Sequence, residues 1–168
     1  MGEDINDIYD SNEVTRDSEL TDLLFRLNTE GRAQAIYQVI LKSPEKPNIP
    51  LTYALNAMQY FGQRESACAA RIAEYIGLDI AAAMNYKKAG ELEKAMSFAK
   101  KVINNLEEKE KFEEAGIFAE QMELYPKATE NYEKAGKWTK ATEAAKKGGL
   151  KQQEELYRRL DSLTARLM

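Results

Sequence analysis

Apolar residues recur three and four positions apart from residue 51 to the end of the chain, which is the spacing of one face of an α-helix. Glycines interrupt this pattern at intervals. Because glycine readily takes the left-handed conformation in which helices end, each interruption predicts a helix end. The pattern predicts eight short helices, near residues 51–61, 64–76, 78–89, 92–105, 107–123, 126–135, 138–147 and 150–166.

The chain before residue 51 divides into three segments. Residues 1–17 are rich in acids and poor in apolar residues, so they bury too little surface to offset the entropy of ordering and are predicted to be an acidic disordered tail. Residues 18–43 show helical spacing on both sides of residues 28–31, which predicts an N-terminal hairpin of two antiparallel helices. Residues 44–50 hold three prolines and predict a stiff connector.

One phrase of sequence occurs twice, 46 residues apart, beginning at Asn85 and at Asn131. Over the nineteen residues that start at Ala83 and Thr129, ten are identical. A third, weaker copy surrounds Gly62. Repetition of this kind is typical of stacked helical hairpins, which more often hold partners than perform chemistry.

Small residues flank the glycine in all three copies. Alanine lies eight positions before it and again five positions after it, and small residues there let two helices approach closely. The aromatic residue before the glycine and the bulky residue after it are predicted to fill the space beside these alanines. The alanines are Ala54, Ala82, Ala128, Ala67, Ala95 and Ala141, and the large residues of the two strong copies are Tyr86, Tyr132, Leu92 and Trp138.

At these residues the sequence resembles the tetratricopeptide-like α-solenoids. Their repeats place an aromatic residue, a glycine, an aromatic or leucine, and an alanine at fixed intervals, and both strong copies match. The resemblance covers residues 51–150 and implies an all-α fold of antiparallel helical hairpins, stacked as a short right-handed superhelix. It departs from regular members in its spacings of 28 and 46 residues, where they repeat about every 34. Residues 51–168 are thus predicted to be tetratricopeptide-like repeats that end in a C-terminal capping helix.

The resemblance implies binding of a protein or peptide in a concave groove lined by the first helix of each hairpin. Asn85 and Lys88 lie three apart on one predicted helix, and Asn131 and Lys134 repeat them. Each pair can present an amide and an ammonium on one face, which suits a carboxylate. These four residues are the predicted partner-binding site, and the alternative is that they are ordinary solvated positions.

Composition excludes several kinds of chemistry. Histidine is absent, which removes the commonest general base, the commonest transition-metal ligand and every nucleophile pair that needs it. Cys68 is the only cysteine, and its small neighbours predict a buried thiol. The acidic residues in 107–114 are interpreted as a solvated helix start and not as a metal site. No phosphate loop or nucleophile elbow occurs. The sequence predicts no cofactor, no metal and no catalytic activity.

Charge and hydropathy bear on the partner. The net charge is −4 and the isoelectric point is about 5.2, so nucleic acid is an unlikely ligand. No apolar run reaches the roughly 20 residues that cross a bilayer, and the N-terminus lacks a signal-peptide pattern, so a cytoplasmic protein without membrane contact is expected.

Two segments offer further contacts. The acidic tail contains Ile5, Ile8 and Tyr9, and either solubilises the chain or docks on a basic surface of a partner or a second copy. The leucines of the last helix form a stripe that suits a terminal cap or, alternatively, the seam of a homodimer.

The sequence therefore predicts a non-catalytic adaptor or scaffold that binds a protein or peptide in a helical-repeat groove. The alternative from another class is an RNA-binding helical repeat. A third hypothesis, an enzyme that uses lysine and glutamate alone, has no motif in its favour.

Overall fold

Ten helices and no strand make up the part of the chain that the computed structural model describes, residues 17–42 and 48–167. The all-helical prediction is confirmed. In chain order the helices are α1 (Asp17–Arg26), α2 (Thr29–Lys42), α3 (Leu51–Gly62), α4 (Ser66–Tyr75), α5 (Asp79–Lys88), α6 (Leu92–Glu108), α7 (Phe112–Gln121), α8 (Tyr125–Lys134), α9 (Trp138–Lys147) and α10 (Lys151–Leu167).

The predicted acidic tail lies outside the described residues, except for Asp17, which begins α1. Residues 44–47 of the predicted connector also lie outside them, and residues 48–50 have no regular structure. Residues 28–31 do not form the expected four-residue interruption. Asn28 caps α2 instead, because its Oδ1 accepts a hydrogen bond of 2.8 Å from the Gly31 N–H. The connection from α1 to α2 is therefore shorter than predicted.

The turns that follow α4 to α9 share one hydrogen-bond pattern. After α5, Gly90 has a φ of 79°, and its N–H donates to the Lys87 carbonyl at 3.1 Å. The Glu91 N–H donates to the Tyr86 carbonyl at 3.0 Å. This is the Schellman arrangement, which uses carbonyls that the helix end leaves without partners. Each of these turns is three residues long.

Short helices and constant turns give the chain a regular period. Helices of ten residues followed by turns of three begin every 13 residues, at Ser66, Asp79 and Leu92, and later at Phe112, Tyr125, Trp138 and Lys151. Only α6, with 17 residues, interrupts this series. The two strong copies of the repeated phrase lie three helices apart, and two helix-turn units span 26 residues, fewer than the about 34 of a regular tetratricopeptide repeat.

The prediction of one helix over residues 107–123 is wrong at its start. Glu107 and Glu108 end α6, and α7 begins only at Phe112. Glu110 takes the left-handed conformation with a φ of 57°, and Glu123 takes it at 62°. Both turns have the Schellman hydrogen bonds without a glycine, so a prediction that relied on glycine as the mark of a helix end missed them.

Glu110→Gly is expected to raise the free energy of unfolding by up to about 1 kcal/mol. A left-handed non-glycine residue costs about 1–2 kcal/mol, and part of the gain from glycine is lost to the entropy of the unfolded chain. Urea unfolding followed by circular dichroism measures this change. Lys100→Gly is the matched control, because Lys100 is an exposed residue in the interior of α6. The control should lower stability by about 0.5–1 kcal/mol, and equal effects of the two substitutions would contradict the assignment.

The flanking alanines are packed as predicted in five of six positions, and only Ala67 is half-exposed. The aromatic residues Tyr86 and Tyr132 are buried. The prediction for Leu92 is wrong, since its side chain is 61% exposed. Leu92 is the first residue of α6. Its counterpart Trp138, the first residue of α9, is half-buried and lies against the Tyr157 ring, with 6.2 Å between ring centres.

The chain forms two compact units, which divide between Met96 and Ser97. In the first unit, each helix from α1 to α5 packs against the next, and α2 also contacts α4. Phe61 lies at the centre of this core, with its ring 5.7 Å from that of Tyr37 and 5.3 Å from that of Tyr60. Cys68 is buried in the same core, as predicted.

In the second unit, α7, α8, α9 and α10 each pack against the next helix. The core is made of alanines and a few large side chains, among them Phe118, Tyr132 and Tyr157. Gly116 of α7 lets the Tyr132 ring lie directly on the backbone, because a Cβ at residue 116 would come within 2.7 Å of the ring.

Gly116→Ala is expected to lower the free energy of unfolding by about 1–3 kcal/mol, because the Tyr132 ring is fixed at its far end by a hydrogen bond and cannot move aside. Thermal unfolding of the variant measures the loss. Gly62→Ala is the matched control, since nothing lies within 4 Å of its added Cβ, and helix propensity should then raise stability by up to about 1 kcal/mol. A stability gain in both variants would show that the Tyr132 ring can yield.

Candidate functional site

The two predicted amides are bonded to the backbone of their own helices. The Asn85 side chain donates to the Ala81 carbonyl at 2.9 Å, and that of Asn131 donates to the Lys127 carbonyl at 3.1 Å. Asn131 is fully buried, so it presents no amide to a partner. A side-chain amide that reaches the carbonyl four residues earlier lies along its helix and not away from it. The expectation of an amide on the surface beside Lys134 is corrected for this copy.

The two predicted ammonium groups are at the surface. Lys88 is exposed. The Lys134 Nζ lies 2.7 Å from Glu130 Oε1 and 5.7 Å from the centre of the Phe112 ring. The four predicted residues therefore do not form two equivalent clamps.

The repeated phrase instead builds the same interhelical bridge twice. The buried Tyr86 hydroxyl donates to the carboxylate of Glu74, and the Tyr132 hydroxyl donates to Glu120 Oε2 at 2.8 Å. A lysine ammonium lies beside each ring, that of Lys94 at 4.9 Å from Tyr86 and its counterpart, Lys140, at 5.8 Å from Tyr132. The sequence signal for this bridge was a glutamate twelve residues before each tyrosine. The identities in this phrase thus serve helix packing.

The bridges change the pKa values of the groups that form them. Burial, followed by the adjacent Glu74 and Glu120 carboxylates, raises the pKa of Tyr86 and of Tyr132 above the ordinary range. The Lys147 ammonium, 2.5 Å from Glu120 Oε1, lowers the pKa of that carboxyl group. While the protein stays folded, the two tyrosine hydroxyls therefore keep their protons, and the Glu120 carboxyl group is held in its charged form.

A third bridge joins α8 and α10. The Tyr157 hydroxyl donates to Glu133 Oε2 at 2.8 Å, and the Tyr157 ring stacks on Trp138 with 6.2 Å between ring centres. Burial and the Glu133 carboxylate raise the pKa of Tyr157 to about 12.

Tyr157→Phe is expected to remove a late component, with a pKa near 12, from the tyrosinate absorbance titration of the folded protein. The unfolded chain releases this proton near pH 10, so the stabilisation is complete below pH 10 and is lost as the pH rises towards 12. Glu133→Gln keeps the ring and should move the late component to lower pH. A titration unchanged in both variants would contradict the bridge.

A groove of about 410 Å³ lies between α2 and α3 in the first unit. The outward face of α3 forms one wall, with two half-buried tyrosines alternating with exposed amides. The groove is lined by Thr29, Arg32, Ala33, Tyr53, Asn56, Ala57, Gln59, Tyr60 and Gln63. Sequence reasoning missed this groove, although Tyr53, Asn56, Tyr60 and Gln63 have helical spacing.

The charged group of the groove is already hydrogen-bonded within the protein. Arg32 is the one charged residue in its lining, and it donates to the Leu24 carbonyl from Nε at 2.6 Å and to the Leu27 carbonyl from Nη2 at 2.9 Å. Its guanidinium also lies 4.9 Å from the centre of the Tyr53 ring. The Arg64 guanidinium lies 4.5 Å from the centre of the Tyr60 ring, so each tyrosine ring of the groove has an arginine over it. The groove therefore offers a ligand neutral amides and half-buried tyrosine rings.

The predicted residue Lys134 lines a different recess, of about 480 Å³, with Phe112 and Ile117. Four charged groups of this recess, those of Lys111, Glu113, Glu114 and Lys134, lie in ion pairs. Lys111 lies 3.0 Å from Glu114, and Glu113 lies 2.7 Å from Lys140. The groove between α2 and α3 is the better candidate, because its amides are exposed and uncharged and its one charged group, that of Arg32, is bonded to backbone carbonyls.

The described residues contain no group of three or more acidic or cysteine side chains placed to hold a metal ion. Within the same residues, no helix combines the length and the apolar character that crossing a membrane requires.

Comparison with protein-family models found no matching family, and comparisons with curated proteins and with solved structures found no match. The resemblance to tetratricopeptide-like repeats therefore stays a prediction from the residues that carry it.

Proposed function

We propose that the chain is a non-catalytic protein-interaction module that binds an extended peptide segment in the groove between α2 and α3. The observation that carries this proposal is the lining of the groove, which combines exposed amides with two tyrosine rings and contains no free charge. The proposed architecture is a short stack of antiparallel hairpins of the tetratricopeptide-like kind, supported by the packing of successive helices and the constant three-residue turns.

Amides suit a peptide backbone because each carries a donor and an acceptor. An extended segment presents N–H and C=O groups that must be paired when they leave water. Asn56, Gln59 and Gln63 lie at one wall of the groove and can pair with such groups at several positions. The rings of Tyr53 and Tyr60 then offer apolar area for the peptide side chains.

The charge of the groove favours a peptide over RNA. Binding of nucleic acid depends on cations that neutralise phosphates, and the one cation of the lining, Arg32, donates to backbone carbonyls. Arg64, beside the groove, lies over the Tyr60 ring and donates to the Tyr60 carbonyl from Nη1 at 3.3 Å. An acidic protein with such a groove has little to offer a phosphate backbone. The preferred segment is therefore uncharged, with small or apolar side chains.

The test is a peptide-display selection against the full chain, followed by affinity measurement of the selected peptides. Asn56→Ala/Gln63→Ala should weaken their binding about fivefold to a hundredfold, since each hydrogen bond contributes about 0.5–1.5 kcal/mol. Both residues are exposed, so the fold should tolerate the change. Asn105→Ala is the matched control, because it removes an exposed amide of α6 outside the groove, and it should leave affinity unchanged.

Selected peptides that bind the groove variant as well as the wild type would overturn the site. Failure to select any peptide, combined with binding to a mixed pool of single-stranded RNA that weakens steeply with salt, would replace the proposal with the RNA-binding alternative.

A further inference from the structure

The wall that α3 gives to the groove between α2 and α3 carries two parallel rows of side chains. The half-buried rings of Tyr53 and Tyr60 form one row. The exposed amides of Asn56 and Gln63 form the other. The two members of each row are seven residues apart, which is close to two helical turns, so each row follows the helix axis with an interval of about 10.5 Å. A ligand that lies along α3 therefore meets a ring and an amide twice, at one and the same interval.

This interval distinguishes between the backbone conformations that a bound peptide can take. A polyproline II helix has three residues per turn and rises about 3.1 Å per residue, so side chains three residues apart lie on one side, about 9.3 Å from each other. That distance is within about 1 Å of the interval between the rings. A β-strand returns to the same side every second residue, at about 6.6 Å and then about 13 Å, and neither distance matches.

A helical ligand fits the rings but not the amides. Its side chains seven residues apart have the same interval as the rings of α3. Its backbone N–H and C=O groups, however, are already paired inside the helix, so the amide row would find no backbone partner. A polyproline II segment has no internal hydrogen bonds and leaves its carbonyls open to donors, and it therefore suits both rows.

We infer that the groove binds a polyproline II segment whose prolines lie three residues apart, one against each tyrosine ring. This inference rests on the proposed function, since it names the conformation and the side chains of the peptide in the same groove. Proline has no charge, which agrees with the neutral amides of the lining. It also has no N–H, so a segment rich in proline presents mainly carbonyls, to which the NH₂ groups of Asn56 and Gln63 can donate.

Two arginines hold the rings in position before a ligand arrives. The guanidinium of Arg32 lies 4.9 Å from the centre of the Tyr53 ring, and that of Arg64 lies 4.5 Å from the centre of the Tyr60 ring. Both arginines also donate to backbone carbonyls, so their positions are themselves fixed. The prolines then meet the part of each ring that remains exposed. Rings fixed in advance lose little side-chain entropy on binding, which favours a stiff ligand of matching spacing.

The test compares three dye-labelled peptides of equal length and composition, made of alanine and three prolines. The prolines lie two, three or four residues apart, and fluorescence anisotropy reports binding to the full chain. We expect the peptide with prolines three apart to bind at least about fivefold more tightly than either of the others, because only it places a proline against both rings. Equal affinities for the three peptides, or no binding of any, would overturn the inference.

The second part of the test removes one ring. Tyr60→Ala should bring the three affinities to within about twofold of one another, because a single ring cannot measure a spacing, whereas Tyr60→Phe keeps the ring and should keep the preference. Tyr75→Ala is the matched control, since Tyr75 is a half-buried tyrosine of α4 outside the lining, and it should also keep the preference.

Far-UV circular dichroism establishes that each variant is folded. If Tyr60→Ala does not fold, Tyr53→Ala replaces it, because it also leaves one ring. A preference for prolines three apart that survives the loss of a ring would contradict the inference.

Failure of this inference can be told apart from failure of the proposed function. Selected peptides whose binding depends on Asn56 and Gln63, but which lack apolar residues three apart, would overturn the polyproline II segment and leave the groove as a peptide site. A selection that yields no peptide dependent on these two amides would overturn both.

Discussion

The left-handed residue at the centre of each turn that follows α4 to α9 is the constraint on which the architecture depends. It reverses the chain within three residues and binds the carbonyls at the end of one helix before the next helix begins. Because the turn is so short, successive helices are held close together, and only small side chains fit where they touch. The buried alanines and the glycine under the Tyr132 ring result from this closeness.

Close packing also explains the choice of polar groups inside the protein. Tyrosine reaches across a helix pair and ends in a hydroxyl, so a single glutamate on the neighbouring helix can satisfy it. The same chemistry recurs at Tyr86, Tyr132 and Tyr157. These bridges give an alanine-rich core a directional element that alanine cannot supply, and they fix which residues of two helices face each other.

Much of the fold can be predicted from the sequence, because helix spacing and glycine are local signals. The bounds of α8 and α9 differ from the prediction by one residue or less. The turn at Glu110 was beyond such reasoning, since the hydrogen bonds around it hold a residue that rarely takes this conformation. The candidate site was harder to predict. Whether Asn131 faces a partner or its own helix depends on tertiary packing, and the amides around the α2–α3 groove gain meaning only when two helices meet.

The extra length of α6 has a consequence for how this chain tolerates insertion. Its 17 residues exceed those of its neighbours by seven, which is close to two full helical turns. The buried positions Ala95, Ala99, Val102 and Ile103 therefore stay on one stripe along the whole helix. A helix here can grow by whole turns and keep its buried stripe in register, whereas growth by five residues would carry the stripe to the solvent side. Helices in this architecture therefore change length by whole helical turns.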